Sequence, residues 1–267
     1  MSSLETAVSI LKCFSAETPE LAVNEVSRQL DLPKSTVSRL LRAMAEQGLV
    51  EQDPESRRFS VGPLPFRLGR LYHARIKVLD LVEQELAALV EETGFTGYVG
   101  VMNGQDIVIL RKRHGDYPVQ MVLEPGFRAA AASTAFGKAL LARMDDAAMA
   151  ALVPPVLVNE RTGITKTSEA IIAEVAEVRR RGWALAHEAF PDMAAIGAAV
   201  GSDDDQPAVG FALSFPRKAI EADAMTRFAD RLVAIARSVA AKTGDPFWME
   251  AKPASQPAGG KREGARP

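Results

Sequence analysis

The sequence predicts an α+β protein: an N-terminal winged helix-turn-helix followed by a larger unit in which helices flank an antiparallel sheet. Three observations carry this. Before residue 62, three short helical stretches precede two strand-like runs that bracket a turn. A Pro-containing turn of three residues, Asp31-Leu32-Pro33, separates the second stretch from the third. From residue 79 to 248, helix-spaced and strand-like segments alternate.

In the first part, Val8, Leu11 and Phe14 recur at helical spacing and predict a helix over residues 4–15, which Thr18-Pro19-Glu20 ends. Val26 and Leu30 mark the apolar side of a second helix over 24–30. A third spans 33–47, with Pro33 in its first turn, where a missing N–H costs nothing, and Gly48 as its stop. Residues 49–52 and 57–61 read as strands around Asp53-Pro54-Glu55-Ser56, a set of turn formers, and so as a hairpin. Helix, short helix, turn, long helix and hairpin is the order of a winged helix-turn-helix.

In the second part, Leu79, Val82, Leu86, Leu89 and Val90 give a long helix ended by Thr93-Gly94. Strands are predicted at 96–102 and 105–110 across Asn103-Gly104, a favoured hairpin dipeptide, and at 119–123. Helices follow at 134–144, 146–152 and 168–181, the last stopped by Gly182. Further strands are expected at 183–187, 195–200 and 208–215, then a closing helix at 221–242. The expected domains are 1–62, a linker helix over 63–78, a sensor unit over 79–248 and a disordered tail over 249–267. Residues 251–267, rich in Pro, Gly, Ala and basic side chains, have almost nothing to bury against their chain entropy. A helix from residue 66 to 93 is expected to connect the two parts. Leu64, Phe66, Leu68 and Leu71 are too apolar for an exposed linker and point to a subunit interface.

Composition narrows the function. At 267 residues, with roughly 150 per domain, the chain holds one large domain or two modest ones. No run approaches the ~20 apolar residues of a membrane span, and the first residues lack an export pattern. Cys13 is the single cysteine, which excludes an intrachain disulfide and a thiolate cluster and fits a cytoplasmic setting. His73, His114 and His187 stand far apart, against a His-based metal site. With 32 Lys+Arg against 34 Asp+Glu, any nucleic-acid contact must come from a local patch.

The third helix supplies such a patch. At about 100° per residue, Val37, Leu40, Leu41 and Met44 share one face, the pattern of a buried stripe. Ser35, Arg39 and Arg42 point the other way, Thr36 and Ser38 flank them, and no acidic residue lies between Lys34 and Arg42. Arg57 and Arg58 add charge on the wing. Cations and hydroxyls at the start of a helix suit phosphate contact, and Arg39 is placed to read guanine edges in the major groove. On charge alone an ordinary solvated face is the better reading. The order of helices, turn and wing tips the balance to binding of double-stranded DNA.

These residues carry a resemblance. Leu32-Pro-Lys-Ser-Thr-Val-Ser-Arg-Leu-Leu41, within the longer stretch 24–54, resembles the winged-helix signature of the IclR family of bacterial transcriptional regulators. Arg58-Phe-Ser-Val-Gly-Pro-Leu64 is similar to the strand and linker that follow there, and Ala135-Phe-Gly-Lys-Ala-Leu-Leu-Ala142 to the family's effector-domain motif. Arg181-Gly-Trp-Ala-Leu185 and Ala212-Leu-Ser214 fall where related segments are expected, so the similarity spans residues 4–245. It implies a GAF-like sensor domain that binds a small organic effector and alters operator affinity, in a homodimer or a dimer of dimers. Paired winged helices on a two-fold axis would read a palindrome-like operator. It also implies effector contacts in the loop at Ser133 and Thr134 and at inward strand positions Ala186, Met193, Ala195, Ala212 and Ser214.

Two readings remain open at several of these positions. Ser133-Thr134 can bind an anion through hydroxyls and backbone N–H groups, or serve as a plain N-cap. Three alanines and Met193 leave volume and few donors, which suits a larger, partly apolar effector, such as an aromatic or medium-chain carboxylate, anchored by Ser133 and Ser214. The same alanines can simply pack a small core. Gly137-Lys138 is no phosphate loop, because Ala132 and Ala139 stand where Gly and Ser or Thr are needed, so Lys138 reads as structural. Asp203, Asp204 and Asp205 read as a solvated turn rather than a metal site, and His187 beside Glu188 as a strand end rather than an acid/base pair. An enzyme with an accessory winged helix is the alternative function, weakened by the lack of a triad, metal cluster or cofactor loop. A winged helix that only binds other proteins is a third.

Overall fold

The computed structural model describes residues 2–249 except Ala16, Val122, Glu188 and Asp205; the tail expected over 249–267 lies, but for Met249, outside the described residues. The chain divides after Ile76 into two compact units.

The first unit runs α1 (Ser3–Leu11), β1 (Glu20–Leu21), α2 (Val23–Leu30), α3 (Lys34–Glu46), β2 (Val50–Gln52), β3 (Phe59–Val61) and α4 (Pro63–Arg75). A capping box between Ser2 and Glu5 starts α1. Asp31, in the left-handed region at φ 51°, ends α2, and the Ser27 hydroxyl donates to the Leu32 carbonyl at 2.6 Å to tighten the turn. Pro33 caps α3 rather than entering it. Beyond Gln47, Gly48 turns left-handed at φ 70° and the Leu49 amide reaches back to the Met44 carbonyl. The stripe Val37, Leu40, Leu41 and Met44 is buried with Ile10, Val26 and Phe59 in the unit's core. The wing gains β1, absent from the sequence pattern, for an antiparallel order β1-β3-β2.

The second unit begins with α5 (Lys77–Thr93), so the helix expected to run unbroken from 66 to 93 is two helices interrupted at Ile76. Next come β4 (Thr96–Asn103), β5 (Asp106–Arg113), β6 (Arg128–Ala130), α6 (Ala135–Leu141) and α7 (Asp146–Leu152). Then follow β7 (Val156–Val158), β8 (Thr165–Thr167), α8 (Ser168–Arg181), β9 (Ala184–Ala186), β10 (Met193–Val200), β11 (Val209–Pro216) and α9 (Ala222–Thr243). Six strands form one antiparallel sheet in the order β6-β5-β4-β11-β10-β9, while β7 and β8 make a separate hairpin. A side chain at Gly97 would meet Leu86 and Val90 of α5, whereas one at Gly100 would meet Phe136 of α6. The two helices therefore cover opposite faces, and α9 packs against both α5 and β10.

The strand expected at 119–123 does not form among its described residues; β6 takes the edge position instead. The Tyr98 hydroxyl donates to the Met121 carbonyl and accepts from the Leu123 amide, so a side chain meets backbone groups that a strand partner would otherwise pair. Lys138 is structural, as expected: it is 1% exposed and its Nζ donates to Glu174 Oε2 at 2.7 Å, while Lys166 holds the other carboxylate oxygen.

Candidate functional site

Two surfaces bear on function, one in each unit. On α3, the side chains of Lys34, Ser35, Arg39 and Arg42 are exposed, with Thr36 and Ser38 half-buried at the flanks. Among the described residues, none of the three cations forms a salt bridge within the chain, so their charge faces solvent. The wing turn is built by Asp53, whose Oδ1 accepts the amides of Glu55 (3.0 Å) and Ser56 (2.6 Å), and these bonds hold its carboxyl below the usual carboxylate range. Arg57 follows in the left-handed region at φ 58° and is exposed. Arg58 differs: Nη2 donates to Glu25 Oε2 at 2.7 Å and to the Glu20 carbonyl at 2.9 Å. Its guanidinium ties the wing to the start of α2, a role the sequence pattern does not disclose.

The positions expected to contact an effector converge in the second unit. Side chains two apart on a strand share a face, and the register lines up Ala186 with Ala195, Ala195 with Ser214, and Gly197 with Ala212. Across this face lie α6 and the loop before it. Ala186, Ala195, Ala212, Ser214 and Met193, together with Ser133 and Thr134, line one cavity. The centre of a water-sized sphere can range over about 60 Å³ of it, and all the space between its lining atoms, open solvent at the mouth included, is about 540 Å³. The first figure lies below the several-hundred-Å³ scale of typical small-molecule sites and suits a compact ligand body.

The wall is almost wholly apolar, with Tyr98, Ile107, Ile109 and Phe136 contributing beside the alanines. Sequence reasoning missed these four, although the alternation along β5 puts Ile107 and Ile109 on one face. Ser133 is buried and its hydroxyl donates to the Ala130 carbonyl at 2.8 Å. Thr134 makes no side-chain cap on α6, which sets aside the plain N-cap reading for its hydroxyl. Ser214 stands out. It is 5% exposed, and its Oγ has no hydrogen-bond partner among the described residues. A buried hydroxyl left unpaired costs about 1–3 kcal/mol, so this atom is a ready anchor for a ligand oxygen.

Other candidates fall away. Among the described residues no group of three His, Cys, Asp or Glu could hold a metal ion. Asp204 accepts from the Ser202 hydroxyl and the Gln206 amide, a self-contained turn, while Asp205 lies outside the described residues. Glu188, the partner considered for His187, also lies outside them.

Comparison with known proteins identifies the chain. The family profile for the bacterial transcriptional regulator IclR C-terminal domain matches residues 71–241, and that for the IclR helix-turn-helix domain matches residues 3–54. The chain belongs to the IclR family. It is 28% identical over 239 residues to the HTH-type transcriptional regulator BhcR of Paracoccus denitrificans, covering 89% of this chain and 85% of that protein. It is 32% identical over 219 residues to the glycerol operon regulatory protein of Streptomyces griseus, covering 78% and 82%. The crystal structure of an IclR-type regulator from Silicibacter sp. TM1040 matches with a TM-score of 0.77 at 25% identity, over 92% of this chain and 99% of that one. Membership of the IclR family makes the chain a DNA-binding transcriptional regulator with a ligand-binding C-terminal domain, and the enzyme alternative falls. No helix among the described residues is long and apolar enough to cross a membrane.

Proposed function

We propose that this regulator binds a palindrome-like operator as a homodimer, or a dimer of dimers, and that a small organic acid with a largely apolar body sets its operator affinity. Lys34, Ser35, Thr36, Ser38, Arg39 and Arg42 of α3 enter the major groove and Arg57 reaches backbone phosphates from the wing, with Arg58 positioning the wing through Glu25. Phe66 and Leu71 of α4, 69% and 70% exposed, pack against a second copy. The effector shifts the population between arrangements of the two DNA-binding heads, which requires different affinities for those arrangements.

The observation that carries the effector reading is the unpaired Ser214 Oγ in a mostly apolar wall. A ligand oxygen there satisfies the hydroxyl while its apolar body displaces water from the alanines. The reading is tested by thermal shift of the full-length protein with aromatic and medium-chain carboxylates beside glyoxylate. At 100 times its dissociation constant a ligand stabilises by about 2.7 kcal/mol. Stabilisation by aromatic or medium-chain acids, reduced in Ser214→Ala, supports it; tight binding of glyoxylate with none for the larger acids contradicts it.

A further inference from the structure

A second, more polar compartment of about 590 Å³ adjoins the effector cavity. Phe127, Ala129, Ser133, Ala189 and Phe190 line both, so the two share a wall. Beyond that wall the outer compartment is bounded by Arg128 and by the turn joining β7 to β8, including Asn159, Glu160 and Arg161. The Phe127 and Phe190 rings stand 6.1 Å apart at the junction. The guanidinium of Arg161 lies over the Phe190 ring, 4.5 Å from its centroid.

The turn is fixed rather than loose. Asn159 Oδ1 accepts the amides of Arg161 (3.0 Å) and Thr162 (3.1 Å), and the Gly163 amide returns to the Asn159 carbonyl at 2.8 Å. Asn159 Nδ2 donates weakly, at 3.5 Å, to the Ala189 carbonyl, linking the turn to the segment beside Phe190.

Charge decides the orientation of an acid in this site. The inner wall contains no Lys or Arg. A carboxylate turned inward would give up its hydration for the Ser133, Thr134 and Ser214 hydroxyls and His187, with no Lys or Arg to pair it, and desolvating an unpaired carboxylate costs several kcal/mol. In the outer compartment Arg128 is already paired with Asp106 at 2.9 Å. Arg161 has no carboxylate partner among the described residues, and stacking on Phe190 pre-sets its plane for a carboxylate. Glu160, the acidic neighbour in the same turn, is the one described group there that opposes an anion.

Building on the effector reading above, we propose that Arg161 is the carboxylate-binding residue of the effector site. The effector then lies with a neutral oxygen, a hydroxyl or carbonyl, at Ser214, its apolar body in the cavity, and its carboxylate between Phe127 and Phe190 toward Arg161. The ligand class is a bifunctional one: a hydroxy- or keto-substituted aromatic or medium-chain monocarboxylate.

Calorimetry on the full-length protein tests this with para-hydroxylated aromatic acids of increasing chain length (4-hydroxybenzoate, 4-hydroxyphenylacetate, 3-(4-hydroxyphenyl)propanoate) and their methyl esters. Arg161 is exposed, so Arg161→Gln leaves the fold intact. Removing one charge-assisted contact is expected to weaken the best-bound acid about tenfold or more while leaving its ester unchanged. Arg161→Lys should recover part of the loss. An acid that binds wild type and Arg161→Gln equally overturns the assignment and leaves the effector reading standing. A parallel loss for acid and ester also overturns it, showing that Arg161 only props Phe190. If none of these acids binds wild type, the assignment fails, and the acid reading is left to the medium-chain carboxylates of the thermal-shift test.

Discussion

Gly197 of β10 faces the amide of Phe136 so closely that a Cβ at Gly197 would lie 2.6 Å from the Phe136 nitrogen. Gly210 of β11 is as tight, since its Cβ would come within 2.5 Å of the Phe136 ring. Strands without side chains at these points let α6 lie on the sheet, and that seat sets the loop with Ser133 and Thr134 over the cavity. Replacing Gly197 by Ala should therefore cost about 1–3 kcal/mol in thermal unfolding, because the clash is with backbone that cannot rotate away. It should also weaken effector binding. Gly104, where an added methyl would meet nothing within 4 Å, is the control for space alone, although its φ of 62° carries its own strain.

The buried Lys138–Glu174 pair should make the sensor unit acid-labile. Burial pushes the Glu174 carboxyl up, but hydrogen bonds from Lys138 and Lys166 and their charges outweigh this and hold it below the usual carboxylate range. A folded-state pKa below the unfolded one gives a contribution that is full above about pH 4.3 and is lost as pH falls through the folded value. Glu174→Gln should cost about 2 kcal/mol at neutral pH, less than the roughly 3–5 of a fully buried pair because solvent still reaches Glu174. Denaturant titrations of both proteins should draw together as pH falls below about 4.3. A gap that widens on acidification would contradict this.

The two wing arginines should separate. Arg57→Ala is expected to weaken binding to all duplexes about equally with stability unchanged, the behaviour of a phosphate contact. Arg58→Ala should also lower the stability of the first unit by about 0.5–1 kcal/mol, since it breaks the half-exposed contact with Glu25. Gel-shift and thermal melts on the same preparations read both quantities.

Arg39 should carry sequence discrimination. Selection of duplexes from random sequence by Arg39→Ala is expected to return a consensus degraded at a guanine position, with the ratio of specific to non-specific binding falling by about 1–3 kcal/mol. An unchanged consensus would assign Arg39 to the backbone instead.

What the sequence disclosed follows from how local each signal is. The stripe Val37, Leu40, Leu41 and Met44 repeats within one helix, so its burial was readable directly. The seven effector positions came through resemblance, and their meeting at one cavity wall depends on cross-strand register, which no local window contains. The 119–123 segment looked like a strand because it is apolar. Met121 and Leu123 instead line the cavity, and Tyr98, more than twenty residues earlier, meets the backbone of both. Arg161 sits in a turn whose sequence is ordinary; only the packing of Phe190 beneath it marks it out.

The central claim is that the outer face of α3 contacts DNA phosphates and bases. Its most direct test is the salt dependence of binding to a duplex selected by the full-length protein, for wild type and for the double variant Lys34→Ala, Arg42→Ala. Each lost phosphate contact should flatten the log–log slope by about 0.9, so the double variant should differ from wild type by roughly twice that. An identical slope and affinity for the two proteins would contradict the claim.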